Sequence, residues 1–138
     1  GLVILDLVDP LFPQWVGTID TPGFASGVAL KDSQAFVADE EAGVQAIDLT
    51  DPAFPVLRGH IETGGFAKQI AIEGKLLGVA TGSGGLVFID ASNPEQLRLL
   101  GRFTANPALG LLLARRRWPL AVLAVVGLYA LVAWAARG

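Results

Sequence analysis

A hydrophobic run that opens on glycine and closes on aspartate recurs every 42 residues: Gly1-Leu-Val-Ile-Leu-Asp6, Gly43-Val-Gln-Ala-Ile-Asp48 and Gly85-Leu-Val-Phe-Ile-Asp90. Laid over residues 43–84 without a gap, residues 1–42 match at 16 positions. Chance matching at ordinary composition would give about three. Self-similarity at a fixed period of roughly 20 to 50 residues marks a modular array, and about 40 to 50 is the size of a four-stranded propeller blade.

Within each unit, short β runs alternate with turn residues. Leu2–Asp6 and Val44–Asp48 are apolar and β-branched enough for buried strands. Asp9-Pro10, Asp51-Pro52 and Asn93-Pro94 break the chain after each run. The Asp or Asn side chain caps such a turn, and proline presets φ. Extended runs resume at 14–19, 56–61 and 97–103, and two more strands are expected near 27–31 and 34–38, and near 68–72 and 76–80. Asp32-Ser33 and Glu73-Gly74 supply the hairpin turns between them. Four short strands with tight links fit a propeller blade better than a solenoid coil. The expected fold over residues 1–103 is therefore an all-β partial β-propeller of about two and a half four-stranded blades, with units at 1–42, 43–84 and 85–103. Propellers close with about four to eight blades. The remainder is expected from upstream residues of the same chain or from association of copies, and alone the piece would expose apolar blade faces.

The pattern resembles the LVIVD repeat family of β-propellers, found in bacterial and archaeal surface proteins. The resemblance rests on Gly1–Asp6 with Asp9-Pro10, Gly43–Asp48 with Asp51-Pro52, and Gly85–Asp90 with Asn93-Pro94, together with Phe36-Val-Ala-Asp39. It implies a propeller at the cell surface and carries no common catalytic set. The third copy departs from the pattern, with Ala105-Asn-Pro-Ala-Leu109 where the others have Thr-x-Gly-Phe-Ala. That is expected of a last blade.

Charge divides the chain in two. All 13 acidic residues lie at or before Glu95, against six basic ones before residue 104, a net −7 for the repeats; the remainder holds Arg115, Arg116, Arg117 and Arg137 and no acid. An acidic repeat region argues against a nucleic-acid partner, since phosphate binding needs clustered Lys and Arg. Residues 118–136 carry no charge. Nineteen residues of helix span about 28 Å, close to the bilayer core of about 30 Å. Trp118 and Trp134 near the ends suit the two interfaces, and Pro119 suits a first helical turn. A buried core helix is the alternative, but the three arginines fit a membrane flank better. The expectation is a linker over 104–117 and a single C-terminal transmembrane helix over 118–136, with the lipid bilayer as a partner. The arginine flank argues for a cytoplasmic propeller and the family resemblance for an extracytoplasmic one, and the latter is preferred. The chain has no Met and begins inside a strand, which is expected of a fragment lacking its N-terminal part, so an export signal could lie upstream. Zero Cys excludes disulfides and thiolate metal sites.

Links between blades and the central hairpins of blades share one face of a propeller. The candidate binding residues on that face are Thr21, Gly23, Phe24, Asp39, Glu40, Glu41, Thr63, Gly65, Phe66 and Ser83. Phe24 and Phe66 read first as packing between blades and second as contact residues. Asp39, Glu40 and Glu41 could bind Ca²⁺ through carboxylate oxygens, but the matching Thr81-Gly82-Ser83 has no carboxylate, so a solvated hairpin tip is expected and no metal. Asp6, Asp48 and Asp90 repeat in phase, as turn caps do. His60 is the only histidine, and its equivalents Thr18 and Arg102 are polar, which places it on an exposed outer strand. No catalytic constellation or cofactor motif is present, and Thr81-Gly-Ser-Gly-Gly85 lacks the Lys and helix of a phosphate loop. The expected function is a membrane-anchored, non-catalytic interaction or adhesion module that meets a protein or glycan. The alternative is part of a propeller enzyme (hydrolase, lyase or quinoprotein) with its catalytic residues on blades outside this sequence.

Overall fold

The computed structural model describes residues 1–104, 122–126 and 129–133. Strand β1 (Leu2–Asp6) pairs antiparallel with β2 (Gln14–Ile19). Strands β3 (Gly27–Lys31), β4 (Gln34–Ala38), β5 (Val44–Asp48) and β6 (Val56–Ile61) then form a four-stranded antiparallel sheet in chain order. Strands β7 (Gln69–Glu73), β8 (Leu76–Ala80), β9 (Leu86–Asp90) and β10 (Arg98–Phe103) form a second. Each sheet is a meander, the topology of a propeller blade, and the first strands of the two sheets, β3 and β7, lie side by side. The 42-residue frame that opens on Gly1 thus cuts each sheet between its second and third strands.

The three sheets share one irregularity. Register slips against the outermost strand between Ile4 and Leu5, between Ala46 and Ile47, and between Leu99 and Gly101. The bulge bends the outer strand and raises its twist, and the outer strand lies against the Asp51-Pro52 or Asn93-Pro94 turn of the next sheet. A Cβ on Gly17 would fall 2.3 Å from the Pro52 carbonyl oxygen, and one on Gly59 would fall 2.2 Å from that of Pro94. Only glycine fits so close an approach.

The core lies between sheets. Phe36, Ala38, Val44 and Ala46 of the first sheet pack on Leu77, Val79, Val87 and Ile89 of the second. On the opposite face of the first sheet, Ala35, Val37 and Ile47 pack against Leu2 and Ile19 of the β1–β2 pair. Strands β4 and β5 are therefore covered on both faces, which explains their near-continuous apolar runs. Burying one side chain such as Phe36 or Ile47 contributes about 1.5–3 kcal/mol.

The tail departs from the sequence expectation. Within the expected transmembrane helix, β11 (Val122–Val126) and β12 (Tyr129–Ala133) pair as an antiparallel hairpin. Among the described residues no helix is long and apolar enough to cross a membrane. The single-pass membrane assignment of residues 118–136, and the placement of the protein in a membrane by it, are therefore withdrawn. The physical reason is that an uncharged apolar run satisfies a buried hairpin as readily as a helix. This run also repeats the spacing of the earlier hairpins, two five-residue strands set two residues apart, as in β3–β4 and β7–β8. Arg115, Arg116, Arg117, Trp118 and Trp134, read as membrane flanks, lie outside the described residues, as does most of the 104–117 linker.

Candidate functional site

The links that enter the two four-stranded sheets and the β4–β5 and β8–β9 turns come together on one face. Asp39 is the anchor in the first sheet. Its backbone continues β4, and its side chain is completely buried. The Thr21 hydroxyl donates to Asp39 Oδ1 at 2.6 Å, and the Gly23 amide donates to Oδ2 at 2.8 Å. One carboxylate thus ties the incoming link to the β4–β5 turn. That turn is closed by the Ala42 amide on the Asp39 carbonyl and by the Gly43 amide on the Glu40 carbonyl. A buried charge is tolerated where hydrogen-bond donors surround it.

The same turn reaches across to the next sheet. Glu40 and Ala67 exchange both backbone hydrogen bonds at 3.0 Å, forming an isolated antiparallel bridge between the β4–β5 turn and the link into the second sheet. The Ser26 hydroxyl lies 3.1 Å from the Ala67 carbonyl oxygen and 3.0 Å from that of Lys68. Neighbouring sheets are therefore stitched along this face.

In the second sheet, Thr81 stands where the first has Asp39, and the fastening changes. The Thr81 hydroxyl donates to the Gly85 carbonyl at 2.9 Å, and the Thr63 hydroxyl donates to that of Gly65 at 2.9 Å. Arg102, on the outermost strand, supplies the tie. Its guanidinium donates through Nη1 to the Gly84 carbonyl at 2.8 Å and through Nη2 to the Thr63 carbonyl. A forked cation replaces a buried carboxylate, and both hold a link against a turn.

The sequence-selected residues fall into two groups. Thr21, Gly23, Asp39, Thr63 and Gly65 are buried or half-buried frame residues. Asp39 is not part of a solvated tip, because its two donors lie in the link 16 to 18 residues earlier. Phe24, Glu41, Phe66 and Ser83 are exposed, and Glu40 is half-buried with φ 45°. Phe24 is 73% and Phe66 54% exposed, so neither packs between the described sheets as first read. Both project from links that are fixed at each side. Sequence reasoning missed Ser26, Thr81 and Arg102 as fasteners. The available signal was that Arg102, His60 and Thr18 share one polar phase on the outer strands. His60 lies exposed on β6.

The opposite turns are electrostatically quiet. Asp6, Asp48 and Asp90 accept from the amides of Val8, Thr50 and Ser92. The Thr50 hydroxyl holds the Asp48 carboxyl below its ordinary value, helped by the Thr50 amide and Arg58. Ser92, with Arg98, does the same for Asp90. The two arginine pairs, at 3.2 and 3.3 Å, are exposed and contribute little. Among the described residues no group of three or more His, Asp or Glu side chains gathers as metal ligands.

Two stretches of the chain, residues 22–63 and 64–105, match the family model described as LVIVD repeat. Each stretch holds one whole four-stranded sheet and the link that leads out of or into it. Together they cover more than half of the 138 residues. No curated protein matches the chain.

Proposed function

The chain belongs to the LVIVD repeat family, and from that premise we propose that it is a non-catalytic interaction module whose link-and-turn face meets a protein or glycan surface. Its repeats build a propeller-type β domain. The observation that carries the reading is the pair Phe24 and Phe66, exposed at equivalent positions 42 residues apart on links locked by Asp39, Thr63 and Arg102. Large exposed aromatics on a rigid frame are a costly choice for a bare surface and a common one for a binding surface, where they add contact area at small entropic cost. Glu41 and Ser83, at the adjacent turn tips, supply hydrogen-bonding groups beside them.

The test is binding of the full chain to a printed array of defined glycans and, separately, cross-linking to proteins of its source cells. Phe24→Ala and Phe66→Ala are each expected to weaken capture at least tenfold while changing unfolding stability by less than about 0.5 kcal/mol. Unchanged capture in the doubly substituted protein would remove this face as the binding surface.

A further inference from the structure

We infer that Asp6 and the cavity beside it receive an arginine side chain of a partner protein, at the β1–β2 turn and away from the link-and-turn face. The inference is independent of the role given to Phe24 and Phe66. It begins with what the other two sheets do with the equivalent carboxylate. Arg58 donates to Asp48 Oδ2 through Nε at 3.3 Å and Nη2 at 3.2 Å, and Arg98 donates to Asp90 Oδ2 through Nη2 at 3.3 Å. The two arginines do not stand at equivalent positions. Arg58 occupies the bulge between Leu57 and Gly59, whereas Arg98 lies directly across from Asp90. Both still deliver a guanidinium to Oδ2, while the hydroxyl of Thr50 or Ser92 donates to Oδ1. Two routes to one oxygen mean that the carboxylate, and not a fixed strand position, selects the cation.

The first unit has the carboxylate and neither supply. Val16 takes the bulge position of Arg58, Gln14 lies across from Asp6 as Arg98 lies across from Asp90, and Val8 replaces the hydroxyl residue. The Val8 amide donates to Asp6 Oδ1 at 2.8 Å, and among the described residues no cation pairs with Asp6. Gln14 does not stand in for one, because its Nε2 donates to the Phe12 carbonyl at 3.2 Å. Asp6 is accordingly exposed, where Asp48 and Asp90 are half-buried.

A cavity of about 340 Å³ opens at this point, lined by Asp6, Val8, Asp9, Phe12 and Gln14. Its chemistry suits a guanidinium, which is planar, carries five donors, is weakly hydrated and stacks on aromatic faces. Asp6 offers its carboxylate, and Asp9 offers a second one whose Oδ1 accepts from the Leu11 amide at 3.1 Å. Phe12, 69% exposed, supplies the ring. A strongly hydrated ammonium would gain less against Phe12 and Val8. A calcium ion takes about six to eight oxygens, and among the described residues no group of three or more carboxylates or imidazoles gathers.

The rim identifies a protein as the source of that arginine. Val8 stands where the other turns have Thr50 and Ser92, and Leu11 stands where they have Ala53 and Glu95. Leu7, Val8 and Leu11 are all exposed. Of the three turns, the one that lacks an arginine of its own is thus also the one with an apolar rim. An exposed ion pair contributes little alone, so the ring and the rim must carry part of the binding, which needs apolar residues beside the arginine. Arginine enclosed by apolar contacts is a recurrent anchor of protein interfaces.

The probe is the blocked peptide acetyl-Leu-Arg-Leu-amide, titrated into the isotope-labelled full chain and read at the Val8 and Leu11 amides, which Asp6 and Asp9 hold. Saturable shifts of these two signals are expected. Citrulline in place of the peptide's arginine, or Asp6→Asn in the protein, should weaken binding about fivefold or more. Asp6→Asn keeps an oxygen for the Val8 amide, so the turn is preserved. Gln14→Arg supplies in cis what Arg98 supplies to Asp90 and should abolish the shifts while the rest of the amide spectrum stays in place. Absence of saturable shifts at Val8 and Leu11 overturns the inference, as does equal affinity for the citrulline peptide or retained binding by Gln14→Arg. Shifts that appear only when Arg115, Arg116, Arg117 and Arg137 are all replaced by Gln overturn it too, by showing that the chain fills the cavity with an arginine of its own.

Discussion

Asp39 offers the sharpest test of how the link-and-turn face is held. Its carboxylate is fully buried and accepts one hydrogen bond from Thr21 at 2.6 Å and one from Gly23 at 2.8 Å. Hydrogen bonds to a charged acceptor contribute about 1.5–3 kcal/mol each, and a buried donor left without a partner adds its desolvation cost. Asp39→Asn keeps an oxygen for the Thr21 hydroxyl but turns an NH2 group toward the Gly23 amide, so the expected loss is about 2 kcal/mol. Asp39→Ala loses both bonds and is expected to lose about 4 kcal/mol. With a urea m-value of about 1.5 kcal/mol per molar, these correspond to midpoint shifts of about 1.3 M and 2.7 M. Far-ultraviolet circular dichroism in urea measures them. A cycle with Thr21→Val isolates the hydroxyl–carboxylate pair, for which a coupling of about 1–2 kcal/mol is expected. A midpoint for Asp39→Ala within about 0.3 M of the parent would show that solvent satisfies both donors as well as the carboxylate does, and would refute the anchor.

Other perturbations separate core, clamp and surface. Phe36→Ala, in the interface between the two four-stranded sheets, is expected to cost about 3–5 kcal/mol in the same assay. Arg102→Met keeps the apolar stem and removes both carbonyl contacts; faster amide exchange is expected around Thr63–Gly65 and Gly82–Gly85, with exchange at Asp39–Gly43 unchanged. Asp48 and Asp90 have folded pKa values below the ordinary 3.8. Their stabilisation is thus complete above that pH and is lost as pH falls through the lower folded values. Asp48→Asn with Asp90→Asn should flatten the stability profile below about pH 4 and leave its shape above pH 5 unchanged.

The strands of the repeat region were legible because each is bounded by residues with one dominant backbone preference. Asp9-Pro10, Asp51-Pro52 and Asn93-Pro94 end runs, and the expected strands near 27–31 and 34–38 coincide with β3 and β4. The state of Asp39 was not legible, because a run of three acids looks the same whether its first member is solvated or enclosed. What encloses it is Thr21 and Gly23, and their recurrence as Thr63 and Gly65 signalled a structural role without saying which group they serve. Phe24 and Phe66 were misplaced for a related reason. Alternation tells which side of a strand is buried, but both phenylalanines stand in links where no period applies.

The tail failed for a different reason, and it bears on what the repeat means. Hydropathy responds to the sum of a window, and residues 118–136 saturate it. The hairpin is encoded in phase instead: alanine at the centre of the first strand, glycine directly after it in the sequence and Val-Ala at the end of the second strand. That phase is concealed because Ala71 and Ala124 stand 53 residues apart, where Ala29 and Ala71 stand 42 apart. An insertion between sheets breaks a fixed-period search without disturbing the blade, since a blade needs its hairpin intact and tolerates length in its links.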